Sequence, residues 1–199
     1  FLSAHELIVA PLQIFVEVER ARVTRLLCDM LYAKGDVNKA ADTLQELAVE
    51  TFGSMDRREK TEFILEQMRL NLERKDYTRM NIVSRKINTK FFDDPKQHVS
   101  SVQRCGQDTA DTHLTQDLKL VYYDLMIRYA LHEKKHLDVC KYHREIYDTP
   151  RIKNDKAKAA DVLRNIVIFL ILAPFDNEQS DLMARVELMD DLDTVEAHK

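Results

Sequence analysis

His132-Glu133-Lys134-Lys135-His136 is the string in this chain that most resembles a catalytic device, the H-E-x-x-H pattern of zinc hydrolases. That chemistry needs both imidazoles one turn apart on a single helical face, sharing one zinc ion while the glutamate activates its water. A second set, His136, Cys140 and His143, falls at i, i+4 and i+7 of one predicted helix and would present three ligands together. No fourth ligand or activating carboxylate accompanies it. No Ser/His/Asp or Cys/His nucleophile arrangement has a usable context, and the pair Asp190-Asp191 lies in a polar tail. Glycine occurs only at 35, 53 and 106, so no window supplies the spaced glycines of a phosphate-binding loop or a dinucleotide turn.

The elements that would have to hold these residues decide between the readings. Three glycines and four prolines among 199 residues argue against a sheet, whose hairpins need residues tolerant of positive φ. A hydrophobic content of 45% still suffices for a core. An internal repeat organises the chain. Arg22 to Cys28, the turn Lys34-Gly35-Asp36 and Val37 to Leu47 are matched by Glu62 to Leu65, Arg74-Lys75-Asp76 and Tyr77 to Ile87. A third copy runs from Val121 through Glu133-Lys134-Lys135 to His136–Ile146. Asp36 and Asp76 are 40 residues apart, and the 59 from Asp76 to Lys135 become 40 once the polar stretch 93–111 is removed.

Equivalent positions carry similar side chains: Val23, Phe63 and Tyr122; Cys28, Met68 and Ile127; Met30, Leu70 and Tyr129; Leu47, Ile87 and Ile146. Each copy reads as two antiparallel helices with apolar stripes that only stacking on a neighbour can bury. The predicted fold class is all-α, a right-handed α-solenoid of stacked antiparallel helix pairs of the TPR-like kind. Residues 1–189 form the solenoid, 93–111 a polar loop insert and 190–199 a polar tail.

In that register Glu133, Lys134 and Lys135 form the turn between two helices. His132 then closes one helix and His136 opens the next, so they cannot share a face. Cys140 and His143 align with Ala41 and Leu44 and read as packing residues. Start and stop signals agree: Gly35 ends a helix, Ser54 caps the next with Asp56 in its first turn, and Thr115 with Asp117 repeats that arrangement. Phe1–Ala10, before Pro11, reads as the end of an earlier helix. Asp155–Ala173, a turn at Pro174–Asn177 and Glu178–Met189 complete the chain. Ile166–Leu172 is apolar on every side and predicts a helix sandwiched between neighbours, or one with a side left open for a partner.

Thirty-four acids against 30 bases give a net charge of −4, and acids interleave with the basic clusters at 57–60 and 85–90, which argues against nucleic acid. The longest apolar run, Ile166–Ala173, is far short of the roughly 20 residues a membrane span requires. Three scattered cysteines, Cys28, Cys105 and Cys140, fit free thiols in a reducing compartment rather than a disulfide framework. The start at Phe1, with no cleavage pattern, reads as a piece of a longer protein.

The stretches Leu172–Leu182, Phe63–Leu70 and Arg85–Phe92 resemble PCI-family lid subunits of the 26S proteasome regulatory particle, a likeness running from about Ile14 to Leu182. It implies a non-catalytic scaffold, serving ubiquitin-dependent protein degradation, in cytoplasm and nucleus. It further implies partners among lid subunits, the lid deubiquitinase, the ATPase base and the core-particle outer ring, with no cofactor, metal or small-molecule substrate. By the same resemblance the chain reads as part of the solenoid, with the family's C-terminal winged-helix module expected not to be present in it. The resemblance carries no catalytic residues, and partner-binding residues stay unassigned. Alternatives are a sister PCI complex (the signalosome or a translation-initiation complex), a peptide-binding adaptor, or a zinc hydrolase on His132, Glu133 and His136.

Overall fold

A computed structural model describes residues 16–93, 108–189 and 192, and only the backbone of residues 93 and 108–114. Among the described residues there are α-helices, a short 3-10 turn at Val49–Thr51 and no strand. The chain divides into two compact units, one ending at Ile87 and one beginning at Asn88.

The first unit consists of α1 (Glu17–Ala33), α2 (Val37–Gln45), α3 (Arg57–Glu73) and α4 (Tyr77–Ser84). Helix α1 pairs with α2, α3 pairs with α4, and α2 packs on α3, so two hairpins stack. Cys28, Ala40, Ala41, Leu44, Leu47, Phe63, Met68, Leu70 and Met80 are buried in this unit. The second unit comprises α5 (Lys90–Asp93), α6 (Asp108–His132), α7 (His136–Tyr147), α8 (Pro150–Lys153), α9 (Lys156–Leu172) and α10 (Asn177–Glu187). Helix α7 is packed between α6 and α9. Cys140, Leu163, Ile166, Leu170, Leu182 and Val186 form the main core of this unit, and Ile127, Ala130 and Val139 a smaller cluster.

Three hairpins close in the same way, which confirms the repeat register. Gly35, Lys75 and Lys134 all have left-handed backbones, with φ of 83°, 64° and 58°. Their N–H groups donate to Tyr32, Leu72 and Leu131, while the next N–H groups, of Asp36, Asp76 and Lys135, reach back to Leu31, Asn71 and Ala130 at 3.1, 2.8 and 2.9 Å. This double bond pattern is the Schellman closure, which satisfies carbonyls that a helix end leaves open. Asp36 and Asp76 then cap the following helices by accepting from the N–H groups of Lys39 and Arg79. Asp155 and Asp176 do the same for α9 and α10.

Several local expectations are corrected. Asp56, not Ser54, caps α3, accepting from Arg58 N–H at 2.9 Å. Thr115 and Asp117 lie inside α6, which begins at Asp108, so neither opens the helix, and Thr115 is itself buried. The insert is therefore shorter than 93–111: Lys90–Asp93 and residues 108–111 are helical, and 94–107 lie outside the described residues. Phe1–Ala10 also lies outside them. In the predicted tail, Leu192 is buried in the second unit's core, because a lone leucine there can still fill a gap against Leu182 and Val186. Helix α9 is not sandwiched all round. Ile166, Val167 and Leu170 are buried, but Ile168, Ile171 and Leu172 are exposed among the described residues.

Candidate functional site

His132 is the last residue of α6 and His136 the first of α7, with Lys134 in the left-handed turn between them. The chain reverses inside the H-E-x-x-H string, so the two imidazoles project from different helices. His132 Nδ1 meets its own neighbour Glu133 at 3.3 Å. The His136 ring instead stacks on Phe169, with centroids 6.2 Å apart and planes 14° from parallel. The two imidazoles thus have separate neighbours, one an exposed glutamate and the other a phenyl ring.

His136, Cys140 and His143 do share one face of α7, as their spacing predicts, but Phe169 of α9 enters that face. The His143 ring meets Phe169 edge-on at 5.7 Å, so one phenyl ring is flanked by both imidazoles. Cys140 is fully buried, and its Sγ points to the Ile166 carbonyl at 3.5 Å. Burial pushes that thiol up to about 11, which keeps it protonated and unreactive. Burial likewise lowers His143 to about 4, so it is neutral at pH 7. The Nδ1 atoms of both histidines are buried without a hydrogen-bond partner. No group of three or more His, Cys, Asp or Glu with metal-holding geometry occurs among the described residues.

The surfaces between helices hold more organised chemistry than these strings. In the first unit α1 and α3 are tied by a ladder of ion pairs. Arg22 meets Glu59 at 2.7 Å, Arg25 meets Glu66 at 3.5 Å, and the Tyr32 hydroxyl donates to Glu73 at 2.9 Å. Arg69 binds Glu66 and Glu73 and places its guanidinium 4.6 Å from the Tyr32 ring centroid. Glu66 is mostly buried, which alone would raise its pKa, but Arg69 and Arg25 outweigh burial and hold it below the usual carboxylate range.

Between α2 and α3 the seam is stitched by amides and a guanidinium. Gln67, 2% exposed, donates from Nε2 to the carbonyls of Leu44 at 2.8 Å and Leu47 at 3.0 Å. Arg74 reaches Asp42 at 2.7 Å and Gln45 at 3.0 Å. Sequence patterning marks Leu70 and Phe63 as seam residues but not Gln67, because a lone glutamine on a helix gives no sign that it faces carbonyls from another hairpin.

In the second unit a cleft of about 480 Å³ lies beside Tyr123, Lys141, Tyr142, Glu145 and Arg185. Two of its bases are engaged: Lys141 pairs with Glu178 and Asp138, and Arg185 with Asp181. Burial pushes the Tyr142 hydroxyl up to about 12, so it stays protonated. Among the described residues these contacts form fixed surfaces between helices. Two further surfaces are apolar and open among the described residues: Val23, Leu26, Leu27 and Met30 on α1, and Ile168, Ile171, Leu172 and Phe175 at the end of α9. No helix is long and apolar enough to cross a membrane, among the described residues.

Sequence similarity accords with this geometry. Residues 7–103 and 93–155 match the family described as PSMD12/CSN4, N-terminal. A 26S proteasome non-ATPase regulatory subunit 12 homolog A of Arabidopsis thaliana is 43% identical over 176 residues, 86% of this chain and 40% of that protein. The 26S proteasome regulatory subunit RPN5 of Saccharomyces cerevisiae is 42% identical over 187 residues, 94% of this chain and 38% of its own length. A Dictyostelium discoideum 26S proteasome non-ATPase regulatory subunit 12 is 35% identical over 187 residues. The chain spans about 40% of the length of these curated relatives.

Proposed function

Because this chain belongs to the PSMD12/CSN4 N-terminal family, we propose that it is a non-catalytic scaffold subunit of the 26S proteasome regulatory particle. In this role it serves ubiquitin-dependent degradation by holding neighbouring subunits in place. The observation that carries the reading is the register of the three hairpin closures. It places His132 and His136 on separate helices and turns the one enzyme-like motif into a repeat turn. A stack of hairpins acts through shape, since each layer is fixed by its neighbours and the exposed faces keep their spacing. The ion-pair ladder and the Gln67 and Arg74 stitches supply that stiffness in the first unit.

Its partners in this proposal are the other lid subunits, the lid deubiquitinase, the ATPase base and the outer ring of the core particle, in cytoplasm and nucleus. The solenoid reading extends over residues 1–189. The test is an epitope-tagged full-length protein resolved by native electrophoresis. Co-migration with peptidase-active 26S particles supports the proposal, whereas migration with a deneddylating or translation-initiation complex assigns the chain to a sister assembly.

A further inference from the structure

We infer that the cleft along α7 docks a short acidic segment of a partner protein, its side-chain carboxylate on Arg144 and Tyr142 and a neighbouring apolar side chain against Leu182. Lys141, Arg144, Glu145 and Asp148, at i, i+3, i+4 and i+7, present one face of α7 to the cleft. Tyr123 of α6 and Leu182 of α10 line it from the neighbouring helices. The charges around it are paired off, with one exception. Glu145 meets Lys119 at 3.4 Å, and Asp148 meets Lys153 at 2.9 Å. Lys141 meets Glu178 at 2.7 Å and Asp138 at 3.6 Å, and Arg185 meets Asp181 at 2.8 Å. Arg144, half-buried in the same lining, makes no ion pair or side-chain hydrogen bond among the described residues. The Tyr142 hydroxyl likewise has no hydrogen-bond partner among them, and burial, which pushes it up to about 12, keeps it a donor at neutral pH.

A guanidinium and a phenol left unpartnered in one cleft match a carboxylate, which accepts from both. A neutral amide or hydroxyl would leave the positive charge unanswered. Phosphate fits less well, because its second negative charge would face Glu145 and Asp148 with no spare cation. Apolar contact comes from Leu182 and from the rings of Tyr123 and Tyr142, whose centroids are 5.9 Å apart. The walls are held in advance: Lys141 and Glu178 tie α7 to α10, and Lys119 and Glu145 tie α6 to α7, so docking does not have to order them. At about 480 Å³ the cleft lies within the size range of small-ligand sites, which suits a few side chains and not a whole interface. That the segment belongs to a neighbouring protein chain rests on the scaffold reading; the chemistry of the cleft does not.

The test titrates the 199-residue chain, its tyrosines labelled with carbon-13, with acetyl-Leu-Glu-Leu-amide and with counterparts carrying Gln or phosphoserine in place of Glu. Nuclear magnetic resonance follows the rings of Tyr123 and Tyr142. The Glu peptide is expected to shift the Tyr142 signals saturably, and the Gln peptide to bind at least about tenfold more weakly, for want of a charge-assisted hydrogen bond. Arg144→Gln should weaken the Glu peptide by a similar factor, and Tyr142→Phe, read through Tyr123, by about threefold or more. Arg144→Gln is also expected to keep the parent's unfolding midpoint; a lowered midpoint would show that the guanidinium already has a partner and would overturn the assignment. Equal binding of the Glu and Gln peptides, tighter binding of the phosphoserine peptide, or no saturation by about 10 mM would overturn it too. Native electrophoresis of the full-length protein reads the scaffold proposal separately, so a silent cleft in a chain that still enters the 26S particle strikes this inference alone.

Discussion

Replacing Gln67 with leucine probes what holds the two hairpins of the first unit together. The amide donates two hydrogen bonds to the Leu44 and Leu47 carbonyls from a side chain that is 2% exposed. Leucine keeps the volume but leaves both carbonyls without that donor, and each buried acceptor so stranded costs about 1–3 kcal/mol. Two terms offset the loss. Leu44 carbonyl still accepts from Leu47 N–H at 3.3 Å, and the change also removes Gln67 Oε1, itself buried without a partner. The expected net destabilisation is about 1–3 kcal/mol, read as a fall of about 3–10 °C in the midpoint of thermal unfolding monitored by far-ultraviolet circular dichroism. Gln67→Glu sharpens the test, because an ionised carboxylate would face the same two carbonyls. It should cost more than leucine at pH 7 and recover part of that loss near pH 5, where a protonated carboxyl can donate. A Gln67→Leu protein as stable as the parent, or more so, would refute the stitched seam.

Further outcomes follow from the same geometry. Lys134→Gly should stabilise the protein by up to about 1 kcal/mol, because glycine relieves the left-handed strain at φ 58°; Gly35→Ala, at φ 83° with open space around its Cβ, should cost a similar amount. Leu70→Asp should destabilise by more than about 4 kcal/mol in a denaturant titration, since it places a charge at a fully buried seam position. His143, lowered to about 4 by burial, binds its proton later in the folded than in the unfolded chain. Its contribution is therefore intact above about pH 6.5 and lost as pH falls from 6.5 toward 4, and His143→Leu should flatten that limb of the stability profile. Elemental analysis of the purified chain is expected to find no stoichiometric zinc; zinc that disappears with His136→Ala would overturn the turn assignment.

The sequence by itself carried the repeat register, the helix pairs and the turn at Lys134. These rest on local signals: apolar spacing of 3.6, polar turns recurring 40 residues apart, and a glycine at the end of the first helix. The same signals disposed of the zinc string, because an alignment of turns is legible without coordinates. They failed where a signal was shared by two structures. Ser54 and Asp56 are both good caps, and only the backbone shows that Asp56 accepts from Arg58. Val23 and Met30 carry the same apolar character as Phe63 and Leu70, yet in the tertiary structure the first pair is exposed and the second buried. Likewise Phe169 between two imidazoles, and Gln67 against two distant carbonyls, depend on which helix arrives from elsewhere in the chain. Helix formation is decided within a few residues, whereas burial is decided by neighbours tens of residues away, and that distance separates what the sequence determined from what only the packed structure decided.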